Sequence, residues 1–314
     1  MTDVVAPAET TTLDLETLAA DVVAQAMKAG ASDAEAVVRE GDEFSVTVRM
    51  GNVETLKESG SRGLGLRVFR GKRTGSASTS DLTPDGIRQL VEGALALAKL
   101  TEEDAFVGLP EAGEFGAVPQ DLRLYFDDVY SLPGPERIEW ARRAEAAALA
   151  ADPRITNSNG GSFDAATGRK VLANSRGFLG GYRTSYAGVA AAPLAVDANG
   201  HMQRDSWWSG ARRIGDLESP ESVGKEAARR TVRRLGARRV PTQQVPIVFA
   251  PEVARSLIGS VFEAASGDAI WRHASFLAGR LGETIAAPGV TIIDDNAMLL
   301  PTGAGGFGTS PFDG

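Results

Sequence analysis

An α+β fold is the expectation, and three observations produce it. Leu15, Leu18, Ala19, Val22, Val23 and Ala26 recur at helical spacing. Two later stretches, Phe44–Met50 and Leu64–Val68, alternate apolar and polar residues with the period of a half-buried strand. Beyond Ala151, long alternating or small-residue runs outnumber helical ones. The whole is an N-terminal helix and antiparallel-sheet domain, followed by a β-rich middle domain with flanking helices.

The elements follow in order. The first helix is stopped by Gly30, placed where a C′ glycine belongs. Phe44, Val46, Val48 and Met50 face one way, Ser45, Thr47 and Arg49 the other, and Gly51-Asn52 makes a hairpin turn. Leu64, Leu66 and Val68 alternate again, Gly71-Lys72 turns, and Arg73–Ser80 returns, closing a sheet of three or four strands. Thr83 as N-cap, Pro84 at N1 and a staple from Leu82 to Ile87 then start a second helix. The Pro- and Gly-punctuated stretch from Ala105 to Pro133 is a linker. Pro135–Ala151 is an alanine-rich helix, and Ile155–Asp164, Lys170–Asn174, Tyr182–Val196 and His201–Trp208 are strands. Ser219-Pro220 opens a helix ending near Gly236; Val245–Phe249 is a short buried strand leading to a helix from Pro251, and Val290–Ile293 is a last strand.

Composition narrows the function. The chain has 314 residues and no cysteine, which removes disulfides, thiolate nucleophiles, zinc ribbons and iron–sulfur clusters together. The formal charge of −8 opposes wholesale adsorption onto nucleic acid or anionic lipid. No apolar run approaches the ~18 residues of a membrane span, and the acidic, polar N-terminus is not the pattern of a secretory signal. A cytoplasmic location is expected.

Four signals bear on chemistry. Arg62-Gly63-Leu64-Gly65 lies in an alternating strand rather than before a helix, so its glycines are expected to admit a helix or second sheet instead of a phosphate. The two histidines, His201 and His273, form no H-E-x-x-H pattern, and Asp205, four residues after His201, falls in a predicted strand about 13 Å further along, so no metal site is expected in this chain. Arg229, Arg230, Arg233, Arg234, Arg238 and Arg239 form the best nucleic-acid patch, but without interleaved aromatics they are expected to serve a helix C-terminus and a solvated face. Alternation in His201–Trp208 puts Met202, Arg204, Ser206 and Trp208 on one face and His201, Gln203, Asp205 and Trp207 on the other. Such a strand forms either the wall of a peptide groove or a closed core edge. Asp294-Asp295, after a strand, hold either a cation or amine, or an Asx turn.

Taken together the motifs resemble the TldD/PmbA family, in its PmbA (TldE) branch. The resemblance rests on Arg62–Phe69 with Thr74–Asp81, Ala173–Phe178, Met202–Asp205 with Trp208 and Ala211–Arg213, Ala227–Arg230 to Leu235–Arg238, Pro246–Phe249 with Pro251–Ala254, and Ser275–Ala278. It runs from about residue 15 to 314. It implies one half of a cytosolic metallopeptidase acting on unfolded peptides in an enclosed cavity. In the TldD half an H-E-x-x-x-H helix binds zinc, and its Glu activates water. The corresponding helix here is Pro251–Leu257, which has no histidine. The resemblance therefore implies a metal-free, non-catalytic subunit, paired with a zinc-bearing TldD-like chain or with itself. A scaffold that binds peptide without a protease partner is one alternative, and a DNA gyrase modulator, a name the family also carries, is another.

The expected organisation is a polar tail (1–12), the N-terminal domain (13–104), the linker (105–133), the β-rich middle domain (134–240) and the start of a C-terminal β domain (241–314), cut short at Phe312-Asp313-Gly314 and carrying an insertion at Asn296–Thr302. Met202, Arg204, Asp205, Trp207, Trp208, Arg212, Asp294 and Asp295 are the expected substrate or partner contacts. Arg204 and Arg212 would take peptide carboxylates, the Trp pair would flank side chains, and Asp294 or Asp295 would meet an amine.

Overall fold

The computed structural model describes residues 14–111 and 121–295. The polar N-terminal tail, the insertion at Asn296–Thr302 and the glycine-rich C-terminal stretch lie outside them. In chain order the elements are α1 (Leu15–Lys28), β1 (Asp33–Arg49), β2 (Asn52–Arg70), β3 (Arg73–Thr79), α2 (Pro84–Leu100), α3 (Asp128–Ser131), α4 (Gly134–Ala150), β4 (Ile155–Asn174), β5 (Leu179–Val196), β6 (Met202–Arg204), β7 (Trp207–Ala211), a 3₁₀ turn at Ile214–Asp216, α5 (Pro220–Val232), α6 (Pro251–Ala265) and α7 (Gly267–Trp271). Described residues up to Ala237 make one compact unit, and Arg238–Asp295 a second.

In the first unit all seven strands belong to one antiparallel sheet ordered β3-β2-β1-β4-β5-β6, with β7 also on β5. The sheet expected to close within the N-terminal region is instead continued by β4, which pairs with β1 from Glu35↔Asn174 to Val48↔Gly161. One face carries the helices. Ala34, Ala36, Val38, Phe44, Val46 and Val48 of β1 are all buried and, by alternation, share it. Helices α1 and α2 cover one end of that face, over Leu64, Leu66, Val68 and Val171. Helices α4 and α5 cover the other, over Phe163, Ala165, Val189 and Ala191. Each core is a separate cluster, with a band of sheet between them.

Local chemistry sets the helix starts as expected. The Thr83 side chain accepts from Gly86 N–H at 3.2 Å and the Ser219 side chain from Ser222 N–H at 3.2 Å, each with proline at the first helical position. Packing then depends on missing side chains. A Cβ at Gly161 would lie 2.2 Å from Ala141 O, so α4 rests on the backbone of β4. The β1–β2 turn is Met50-Gly51, one residue earlier than expected, with φ of 49° and 78°. Both N–H groups donate at 2.9 Å to the buried Glu145 carboxylate of α4, which offsets the left-handed strain at Met50.

Several expected strands differ. The stretch 155–174 is one strand, because Ala165–Arg169 pair on both sides instead of turning. His201–Trp208 is broken between Arg204 and Trp207 although β6 and β7 keep one register against β5. In that register Asp205 falls opposite Pro193, which has no N–H to offer the ladder. Thr231 of α5 fills the gap: its hydroxyl accepts from Asp205 N–H at 3.0 Å, with Pro193 O 3.4 Å away. Gly63 and Gly65 do not admit a helix, since the nearest atom to a Cβ at either is 4.0 Å away on a neighbouring strand. The glycine with that role is Gly75 of β3, where a Cβ would be 2.2 Å from Ala94 O of α2.

The second unit holds α6 and α7 and, among its described residues, no strand. The strands expected at Val245–Phe249 and Val290–Ile293 are irregular chain, with Val248 97% exposed. Neither segment joins a ladder among the described residues, and an apolar run without a paired neighbour does not make a strand.

Candidate functional site

Among the described residues, strands β6 and β7 form one border of the sheet, bonded to β5 on one side only. The register places Met202, Arg204, Ser206 and Trp208 on the face without helices, and Gln203, Asp205 and Trp207 on the face against α5. The alternation read from sequence thus persists through the break, and it divides the expected contact residues into two groups.

On the helix side, Asp205 and Trp207 are engaged within the fold. Asp205 pairs with Arg234 at 3.3 Å and Arg230 at 3.7 Å, while the Arg230 guanidinium lies 5.0 Å over the Trp207 ring, whose Nε1 donates to Glu218 at 3.1 Å. Partial burial pushes the Asp205 carboxyl up, but the Ser206 N–H and the two guanidinia outweigh it and hold the group below the usual carboxylate range. These residues fasten α5 to the sheet border. The same contacts occupy much of the arginine cluster, in which Arg229 also makes a bidentate pair with Glu226 at 2.7 Å.

On the open face Met202 is 67% and Trp208 52% exposed. Sequence reasoning missed their neighbour Tyr186 of β5. A Cβ at Gly210 would meet the Trp208 ring at 2.7 Å and the Tyr186 hydroxyl at 3.0 Å, so the two rings converge over that glycine. Burial, then the nearby Asp164 carboxylate, raises the Tyr186 hydroxyl above its ordinary value. The signal was present as Tyr186-Ala187-Gly188 and Trp208-Ser209-Gly210, an aromatic two residues before a glycine on adjacent strands. Such an exposed aromatic surface, beside a strand border that is unpaired among the described residues, suits an extended peptide that pairs through its backbone and rests side chains on the rings.

Arg212 follows β7. Its carbonyl accepts from Ser185 Oγ at 2.6 Å and its Nη1 donates to Leu124 O at 3.4 Å, while burial lowers the guanidinium from its ordinary value. Asp294 and Asp295 are exposed and belong to the second unit. Residues for a metal do not assemble among the described ones. His201 closes the turn before β6 with its ring Nδ1 3.1 Å from Asp197 Oδ2, His273 lies beyond α7, and among the described residues no three His, Asp or Glu side chains converge. This set does not fit zinc. Among the described residues, no helix is long and apolar enough to cross a membrane.

Comparison with known proteins agrees with this architecture. Models of PmbA/TldA metallopeptidase domain 1, central domain and C-terminal domain match residues 34–98, 127–235 and 242–314. The chain is 38% identical over 288 residues to Metalloprotease PmbA of Escherichia coli O157:H7, covering 91% of this chain and 62% of that protein. A Metalloprotease PmbA homolog of Haemophilus influenzae is 35% identical over 92% of this chain and 62% of its own length. The chain thus spans about three fifths of these relatives. Among solved structures, a protein described as a modulator of DNA gyrase from Bacteroides thetaiotaomicron superposes with a TM-score of 0.81 at 24% identity, over 88% of this chain and 62% of that one. TldE from Thermococcus kodakarensis superposes with a TM-score of 0.66 at 17% identity, over 85% and 59%. At these identities the structures speak for the fold alone.

Proposed function

Since the chain belongs to the PmbA/TldD metallopeptidase family, we propose that it acts as the non-catalytic, PmbA/TldE-type subunit of a protease on unfolded peptides. The observation that carries this reading is the composition of α6. This helix corresponds, by family resemblance, to the zinc-binding helix of the TldD partner, yet Pro251–Ala265 contains no histidine. Zinc and the activated water then reside in a TldD-like partner chain, and no catalytic step passes through the residues described above. The contribution of this chain is to hold substrate. The β6–β7 border offers backbone groups to an extended strand, Tyr186 and Trp208 offer ring faces, and Met202, Arg204 and Arg212 flank them. Asp294 and Asp295 are assigned to amine or partner contact. Assembly is with the zinc subunit or with a second copy, in the cytoplasm.

The gyrase reading has less support. Asp205, Glu226 and Glu218 engage or adjoin the arginines and indole that a nucleic acid would need.

The deciding experiment is a native pull-down with this chain, zinc analysis of what is retained, and an assay on a casein fragment. Co-purification of a zinc-containing chain with EDTA-sensitive cleavage is expected, and turnover should fall several-fold in Trp208→Ala. A metal-free assembly that binds the fragment without cleaving it would replace the protease reading with that of a scaffold. Unchanged turnover in both Trp208→Ala and Arg212→Ala would remove the substrate assignment.

A further inference from the structure

The band of sheet between the two cores is the floor of a pocket of about 790 Å³. Its position follows from register. The row Leu64–Val38–Val171 lies under the first helix pair, and the row Phe44–Ala165–Ala187 under the second. Between them, on the same face, lie two rows that neither helix pair buries. One runs Arg62–Glu40–Arg169–Arg183 across β2, β1, β4 and β5, and the other Gly60–Asp42–Thr167–Ser185.

The charges in these rows are not matched internally. Arg62 pairs with Glu40 at 3.4 Å, and Arg169 with Glu16 of α1. Arg183 sits directly opposite Arg169, an arrangement that repels across a sheet. Its guanidinium is held 3.5 Å from the centre of the Tyr125 ring and, among the described residues, meets no carboxylate. Asp42 lines the same pocket and, among the described residues, meets no cation. One positive and one negative group are therefore left over. They lie two strands and two residues apart, roughly 12 Å at Cα from strand spacing and rise. At roughly 3.3–3.6 Å per residue, a separation of this size less the contact distance at each end suits about two or three extended residues. At Gly60, which faces the pocket beside Asp42, a Cβ would stand 3.2 Å from Asp42 Oδ1, so the missing side chain keeps that carboxylate open.

We propose that this pocket binds a short peptide with both termini free, a di- or tripeptide, its carboxylate on Arg183 and its ammonium on Asp42. The ring under Arg183 fixes the guanidinium plane while leaving its donors free for a carboxylate. The volume is within the range of small-ligand pockets. The site lies on the helix face, whereas Tyr186 and Trp208 lie on the other, so it goes beyond the proposed function and does not depend on a protease partner.

Titration calorimetry of the full chain with Ala-Ala-Ala, with no partner added, tests this. The free tripeptide is expected to bind, and acetylating its amine or amidating its carboxylate should each weaken it about ten-fold, the scale of one charge-assisted contact. Arg183→Gln should bring the free peptide down to the amidated one, and Asp42→Asn down to the acetylated one. Absence of binding below about 10 mM, or capped peptides that bind as well as the free one, would overturn the proposal. The capped peptides are read on the unaltered protein, so the test survives a variant that fails to fold.

Discussion

Helices α5 and α6 carry the same kind of amphipathic pattern in two units of the chain and meet opposite fates. Helix α5 is short and rich in charge, yet Val223, Ala227, Ala228 and Thr231 are all buried against α4 and the sheet. Helix α6 is the more apolar, yet among the described residues none of it is buried: Val253 and Leu257 are 48% exposed and Phe262 57%. A hydrophobic stripe states what a helix needs to cover. Whether it is covered is decided by sheet and helix surfaces contributed from elsewhere in the chain.

The sharpest test of that difference removes the same ring from each unit. Phe163 is fully buried, edge-on to Trp140 with centroids 5.8 Å apart. Phe163→Ala should cost about 3–5 kcal/mol, the usual range for a core aromatic. Phe262→Ala in the isolated chain should stay within about 0.5 kcal/mol. Urea unfolding followed by near-UV circular dichroism reads both. Comparable losses would mean that α6 is covered in solution by a surface outside the described residues.

Glycine sharpens the contrast at the next level of effect. A methyl group at Gly161 would meet α4 backbone at 2.2 Å, so Gly161→Ala should destabilise by about 1–3 kcal/mol through overpacking. Gly259, inside α6, has nothing within 4 Å of a built Cβ. There alanine should raise stability or helix content, by about 0.5–1 kcal/mol, because only the propensity gain remains. Loss of stability from Gly259→Ala would point to a closely apposed surface at that position.

The same division explains what the sequence disclosed. Signals within a few residues of one another were legible: Thr83-Pro84 and Ser219-Pro220 as helix starts, and the alternation that sorts Met202 and Trp208 from Asp205 and Trp207. Facts that need a distant partner were not. That β1 pairs with β4, fusing two expected sheets into one, joins residues more than a hundred positions apart. Gly75 and Gly161 are close approaches only because of the helices that dock on them, so pattern alone pointed instead to Gly63 and Gly65. Pro193 could have warned of the break opposite Asp205, since proline inside a strand marks an edge or a lost ladder bond. Arg183 and Asp42 were invisible as a pair, because only the register of three strands brings them to one pocket.

The smallest predicted effect concerns the fastening of α5. The folded state holds the Asp205 carboxyl below its ordinary range: partial burial opposes this, and the Ser206 N–H with Arg234 and Arg230 more than compensates. An unfolded chain then binds the proton more readily than the folded one, so stability from this group rises with pH. It is complete above the ordinary carboxylate pKa of about 4 and is lost as pH falls through the lower folded value. With Arg234 half exposed, the contribution should be about 1 kcal/mol or less. Because Arg230 stacks on Trp207, indole emission followed downward from about pH 4 reports the release. Asp205→Asn should remove that change and leave acid unfolding of the remaining core in place. Identical emission profiles in the two proteins would mean that Thr231, filling the gap opposite Pro193, holds α5 without help from the ion pairs.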